Sequence, residues 1–229
     1  LNDMNGFHVN EKHVMQALDS SKGGAIEEGN VGGGTGMLCY EFKGGTGTSS
    51  RKLPAKLGGW TVGVLVQANF GRRYQLTIAG TPMGQYFKDG APFTNGENPF
   101  KQDDGSLIVI VATDAPVLPH QLKRLAKRAT IGMARTGSLG GNGSGDIFLA
   151  FSTANPQAAH EGEMGVSDIQ ALSNNNIDPI LSATAYATEE AIINAMVAAK
   201  DMKGHNEVDA KALPHDGVRE VLKRYNRID

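Results

Sequence analysis

The sequence predicts a mixed domain of the α/β or α+β class, with helices packed on sheets. Three observations carry that prediction. Residues 60–68 and 106–113 are runs of β-branched and aliphatic side chains with the texture of buried strands. Residues 119–135 and 180–200 place apolar side chains at helical spacing. Segments of both kinds occur in both halves of the chain, and no internal repeat relates them.

Taken in order, Asn10 caps a helix over Glu11-Lys12-His13-Val14-Met15-Gln16-Ala17-Leu18, which ends before Gly23-Gly24. Residues 23–47 alternate glycine loops with one short strand over residues 36–42, and residues 51–53 extend a following strand. Residues 60–68 form a strong strand and residues 74–79 another. Over residues 80–105 the pattern fails: Pro82, Pro92 and Pro99, with Asp, Asn and Gly between them, describe a long exposed loop. Loops beyond ~15 residues are usually functional or mobile. Residues 106–113 are continuously apolar, as in a strand buried on both faces. After a turn at residues 114–119, Leu118, Leu122, Leu125, Ala126, Ala129 and Met133 mark a helix from Pro119 to about Arg135 with a basic outer face. A second glycine cluster, residues 137–145, leads into a buried-type strand over residues 146–152. Residues 180–200 are a long alanine-rich helix with a stripe at Leu181, Thr184, Ala191, Ile192, Ala195 and Met196. Residues 215–225 are a last amphipathic helix.

Composition removes several classes of function. A chain of 229 residues can bury a sizeable core without disulfides or a metal. A net charge of −2 argues against a nucleic-acid surface, which needs clustered Lys and Arg. The single cysteine, Cys39, excludes an internal disulfide, and its apolar neighbours Met37, Leu38 and Tyr40 make it a buried thiol. No run approaches ~18 apolar residues, so no helical membrane span is expected. No signal-peptide pattern opens the chain, and the expected compartment is the cytoplasm rather than the periplasm. The start at Leu1 rather than Met is that of a fragment or a processed form. Glycine is the anomaly: 30 of 229 residues, about 13%, against a usual ~7%. Residues 1–105 hold 20 of them and residues 106–229 hold 10. Clusters of this kind mark backbone that turns tightly or approaches something closely.

Four motifs could carry chemistry. Asp103-Asp104-Gly105-Ser106 closes the long loop and opens the most apolar strand. It reads as a turn-forming Asp-Gly pair before a strand, or as a Gly–Ser autoproteolysis site. In the second case the serine hydroxyl attacks the preceding carbonyl, an acyl shift forms an ester, and hydrolysis frees an N-terminal serine. Glycine before the bond permits strained geometry. The new α-amine, titrating near ~8, can serve as base for the hydroxyl of its own residue. Gly141-Asn142-Gly143-Ser144-Gly145-Asp146 reads as a glycine loop with a capping serine. Alternatively, the period of a strand puts Ser144 and Asp146 on one face, a hydroxyl beside a carboxylate. It lacks the spacing and the strand-to-helix placement of a nucleophile elbow. Gly29-Asn30-Val31-Gly32-Gly33-Gly34-Thr35-Gly36 invites a nucleotide-binding reading, but no Walker lysine follows and the next residues look like strand. In Gln67-Ala68-Asn69-Phe70-Gly71, Asn69 is either a turn residue or an amide able to donate to a developing oxyanion. The six histidines show no metal-binding spacing, so no metal site is expected.

Together these segments resemble a known family. The stretch from Gly105 to Pro116, then Leu118-Pro119-His120-Gln121-Leu122-Lys123-Arg124-Leu125 and Gly141-Asn142-Gly143-Ser144-Gly145-Asp146-Ile147, are similar to the DmpA-type L-aminopeptidase/D-esterase family. That family includes the β-peptidyl aminopeptidases. Residues 29–37 and 64–71 resemble it too, so the likeness covers nearly the whole chain in order. The resemblance implies a single α+β domain folded as an αββα sandwich, two stacked sheets between helical layers. It implies cleavage at Gly105–Ser106 into an α-chain portion, residues 1–105, and a β chain, residues 106–229. Ser106 would be the nucleophile, Ser144 its hydrogen-bonding partner in proton transfer, Asp146 the group orienting both, and Asn69 part of the oxyanion hole. The implied substrates are short peptides, amino-acid amides or esters, β-peptides included. No cofactor is implied, and family members assemble as tetramers of αβ units. The family's α chain is longer, so the segment before Leu1 is expected to hold the groups that bind the substrate amine. A related ornithine acetyltransferase type shares the architecture but uses threonine as nucleophile, where this chain has Ser106. A non-catalytic scaffold that kept the fold is the remaining alternative.

Overall fold

The computed structural model describes residues 1–93, 105–158 and 165–229. Its centre is a four-stranded sheet in the order β3-β4-β5-β6, made of β3 (Gly45–Lys52), β4 (Thr61–Asn69), β5 (Ser106–Thr113) and β6 (Ile147–Ser152). The β3–β4 and β4–β5 pairs are antiparallel; β5 and β6 are parallel. A parallel pair needs a crossover, and here it contains helix α2 (Pro119–Arg135). Pro119 occupies the first turn of α2, where its missing N–H breaks no helical bond, while the Leu118 N–H is taken by the Gln121 side chain at 2.9 Å. Helix α3 (Asp178–Val197) lies on β3 and β4 and against α2.

The strand periodicity sorts the side chains. Val62, Val64, Val66 and Ala68 of β4 share a face with Leu107, Val109 and Val111 of β5, and all are buried under the helices. Helix α3 contributes Ala187, Ala191 and Ala195, small enough to let its backbone approach the sheet closely. Gly47 completes that contact: a Cβ there would sit 2.0 Å from the Ala191 carbonyl oxygen. The opposite face is also apolar, yet Ile108, Ile147, Leu149 and Phe151 are exposed on it. The class is α+β, with sheet and helices in layers. The described residues contribute the four-stranded sheet and the helices on one of its faces. Helices α1 (Glu11–Asp19) and α4 (His215–Arg224) complete the set. Among the described residues, no helix is long and apolar enough to cross a membrane.

Several local expectations are corrected. The strand expected over residues 36–42 is a hairpin, β1 (Leu38–Cys39) and β2 (Phe42–Lys43), turning at Tyr40 and Glu41 with φ of 51° and 61°. Neither turn residue is Gly or Asn, so the usual turn signal is missing. Glycines 45 and 47, read as loop, lie in β3: a Cβ at Gly45 would sit 2.0 Å from the Gly29 carbonyl oxygen, and one at Gly47 would run into α3. The strand expected over residues 74–79 is a 3₁₀ turn, Arg73–Gln75, followed by a single bridge between Ile78 and Thr81. The segment instead wraps the buried Arg73, whose guanidinium donates to the carbonyls of Tyr40, Glu41, Phe87 and Asp89. The ribbon β7 (Met202–Lys203) with β8 (Asp209–Ala210) had no signal in the sequence. Residues 106–113 are buried on one face rather than two. Cys39 is fully buried, as its neighbours suggested. The glycine turn Gly32–Gly34 leads into β1 and not into a helix, so it lacks the frame of a dinucleotide loop. Pro99, Asp103, Asp104 and His160 lie outside the described residues.

Candidate active site

Sheet topology brings three chain segments to one end of the sheet. Antiparallel pairing sets Asn69, the last residue of β4, directly opposite Ser106, the first of β5. Parallel pairing of Ile108 with Ile147 places the start of β6 beside the start of β5. The loop ending in Ser144-Gly145-Asp146 therefore arrives next to Ser106. By strand parity Ser106 and Asn69 belong to the sheet face that α2 and α3 leave open.

Backbone donors organise the contacts. The Gly145 N–H donates to Ser106 Oγ at 2.9 Å. Asp146 Oδ1 accepts the N–H of Leu107, the residue after Ser106, at 2.7 Å. Leu38 N–H donates to Asn69 Oδ1 at 3.0 Å, which leaves the amide NH₂ as the donor end of Asn69. Ser106, Asn69 and Asp146 thus meet at one place. Ser144 is adjacent but not in a strand: it follows a turn closed by its own N–H to the Gly141 carbonyl at 3.0 Å. The strand-period argument that placed Ser144 and Asp146 on one face therefore does not apply. Among the described residues, no hydrogen bond of the Ser144 hydroxyl is found.

Gly105 earns its place sterically. A Cβ on it would lie 2.4 Å from the Asn69 carbonyl oxygen and 2.7 Å from Phe70 Cα. Its backbone is not in the left-handed region, so close approach, not unusual torsion, requires glycine. A cavity of about 520 Å³ opens beside it, bordered by Met37, Leu38, Glu41, Asn69 and Phe70.

No sequence feature marked the buried charged residues in and behind that wall. Glu41 is buried, with the Arg73 N–H on one carboxylate oxygen at 3.4 Å and the Phe93 N–H on the other at 3.2 Å. Burial lowers the Arg73 pKa to about 10, offset in part by Glu41, so the guanidinium stays charged at neutral pH. Lys43 is fully buried, and its ammonium donates to the carbonyls of Gly34, Met37 and Gly44 at 3.1, 2.9 and 2.8 Å. Burial lowers its pKa to about 8, offset in part by Cys39. Charged residues usually sit on surfaces, so only tertiary structure reveals these as buried.

Known proteins resemble this chain over its whole length. Residues 1–210 match the sequence pattern of peptidase family S58. The β-peptidyl aminopeptidase BapA of Sphingosinicella microcystinivorans is 49% identical over 236 residues, covering 100% of this chain and 59% of that protein. Among solved structures, the L-aminopeptidase D-Ala-esterase/amidase of Ochrobactrum anthropi superposes with a TM-score of 0.91 at 47% identity. It is described as a serine aminopeptidase and a variant of the Ntn hydrolase fold; the match covers 100% of this chain and 61% of that one. A Burkholderia sp. β-aminopeptidase gives a TM-score of 0.88 at 44% identity, covering 98% of this chain and 61% of that one. The chain spans about three-fifths of the length of these relatives. With a pattern matched over residues 1–210 and this degree of identity, the chain belongs to peptidase family S58.

Proposed function

We propose that the protein is a self-processing serine aminopeptidase acting on short peptides, amino-acid amides or esters, including those of β-amino acids. One observation carries the reading: Ser106 Oγ, next to the glycine pressed on the Asn69–Phe70 backbone, receives the Gly145 N–H. That donor lowers the cost of negative charge on Oγ. In processing, Ser106 Oγ attacks the Gly105 carbonyl carbon. The Gly105–Ser106 C–N bond breaks as the nitrogen takes a proton, leaving Gly105 esterified to Oγ. Water hydrolyses the ester to a Gly105 carboxylate and a free Ser106 with its hydroxyl and amine. In the mature site the amine removes the Oγ proton, Oγ attacks the substrate carbonyl, and the leaving amine departs with that proton. Water then releases the acyl group. The Asn69 NH₂ is the oxyanion donor, Ser144 assists proton transfer, and Asp146 holds the start of β5 through Leu107.

The chain-pairing pattern supports processing without dissociation. Residues 1–105 and 106–229 would remain joined by the β4–β5 ladder, which runs from Val62↔Thr113 to Asn69↔Ser106. Assembly of αβ units into tetramers, a cytoplasmic location and independence of any cofactor belong to the same proposal. Mass spectrometry of the full-length protein tests it. The expected result is two chains, the second beginning at Ser106, and a single uncut, inactive chain for Ser106→Ala. An intact wild-type chain that still hydrolyses amino-acid amides would overturn the mechanism.

A further inference from the structure

We propose that Lys43 is a positioning residue for the oxyanion donor, holding Asn69 in its donating orientation through the glycine-rich turn before β1. The proposal rests on the reading of Asn69 given above. Its path is continuous. Lys43 Nζ donates to the carbonyls of Gly34, Met37 and Gly44. Within the same turn the Met37 N–H donates to the Gly34 carbonyl at 3.2 Å, and Gly44, just after β2, donates its N–H to the Met37 carbonyl at 3.0 Å. The next residue, Leu38, sits opposite Lys43 in the β1–β2 pair and supplies the N–H that occupies Asn69 Oδ1.

Two physical points give this arrangement a purpose. Three carbonyl dipoles converging on one spot repel one another, and an ammonium with three donors satisfies all three at once. Among the described residues, Lys43 has no carboxylate within ion-pair distance, so its buried charge serves those carbonyls and not a salt bridge. A buried cation is expensive where an apolar side chain could fill the space. The second point concerns Asn69. The terminal torsion of an asparagine is broad and nearly two-fold. Without a fixed donor on Oδ1, the amide can turn its oxygen toward a developing oxyanion and repel it.

The test is a double-mutant cycle in the full-length enzyme with an amino-acid amide as substrate. Asn69→Ala is expected to lower kcat by roughly 10²–10³, as loss of an oxyanion donor does. Lys43→Met is expected to lower kcat by about tenfold to a hundredfold, with KM within about threefold, because the donor remains but is misplaced. In the Asn69→Ala background the same substitution should change kcat by less than about threefold, since Lys43 then has nothing left to position. Should Lys43→Met not fold, Lys43→Arg carries the same cycle, because a guanidinium cannot meet three carbonyls in an ammonium's geometry. Multiplicative losses, or a loss confined to KM, would make Lys43 a general structural residue and overturn the proposal alone. If Asn69→Ala leaves kcat unchanged while Ser106→Ala abolishes it, both the proposal and the assignment of Asn69 fall.

Discussion

The two faces of the central sheet use alternate residues of the same strands for opposite ends. On one face, Val64, Val66, Val109 and Val111 are buried under α2 and α3, and α3 lies so close to β3 that Gly47 can carry no side chain. On the other, Ile108, Leu149 and Phe151 are exposed, and the same residue parity ends at Ser106 and Asn69. The packed face is held by side-chain volume. The site at the end of the open face is held by backbone N–H groups, those of Gly145, Leu107 and Leu38. Stability and activity should therefore respond to different substitutions.

The sharpest separation is expected at Ser106 and Gly105. Ser106→Ala should abolish both cleavage and hydrolysis while changing stability by no more than about 0.5 kcal/mol, or ~2 °C in melting temperature. Gly105→Ala should slow self-cleavage about a hundredfold, because a Cβ against Asn69 displaces the bond to be cut; the ratio of cut to uncut chain over time measures it. On the packed face the pattern reverses. Leu107→Ala should cost about 2–5 kcal/mol in urea unfolding, as for other buried leucines. Gly47→Ala should cost about 3 kcal/mol by forcing α3 away from the sheet. If Leu107→Ala removed activity without loss of stability, the division between the faces would be wrong.

Smaller effects sharpen the same division. The lowered pKa of Lys43, about 8 against 10.5, means that the native chain binds fewer protons than the unfolded chain between those values. Its contribution to stability is therefore least below pH about 8 and rises with pH up to about 10.5. Urea midpoints at pH about 7.5, below that window, and at pH about 9.5, within it, should show a more positive slope for wild type than for Lys43→Met. At the rim of the packed face, Arg51 pairs with Glu190 of α3, both side chains substantially exposed. Arg51→Ala should cost less than about 1 kcal/mol and less still in high salt, read from unfolding at two ionic strengths.

The readable parts of this chain are those where local chemistry and tertiary role agree. Strand β5 follows from its unbroken apolar run, and α2 from Leu122, Leu125, Ala129 and Met133 with Pro119 at its start. The Gly105-Ser106 junction stood out because a glycine, a serine hydroxyl and an apolar strand adjoin there. The illegible parts are those where a long-range contact overrides local preference. The Tyr40–Glu41 turn adopts positive φ without glycine because Arg73, distant in sequence, binds both carbonyls. The expected strand over residues 74–79 gave way to the same buried cation.

By itself, the sequence determined the mixed class, the helices α2 and α3, the strands β4, β5 and β6, and the candidates Ser106, Ser144, Asp146 and Asn69. These rest on side-chain periodicity and on residue types, which are local properties. Tertiary structure alone decided that the end of β4 and the starts of β5 and β6 meet, since strand order and direction cannot be read from period two. It also decided that Gly105 is required by contact with Asn69 and Phe70, and that Lys43 is a buried clamp and not a surface charge. A charge and a glycine each admit several roles. Which role is taken depends on what the rest of the chain places within a few ångströms.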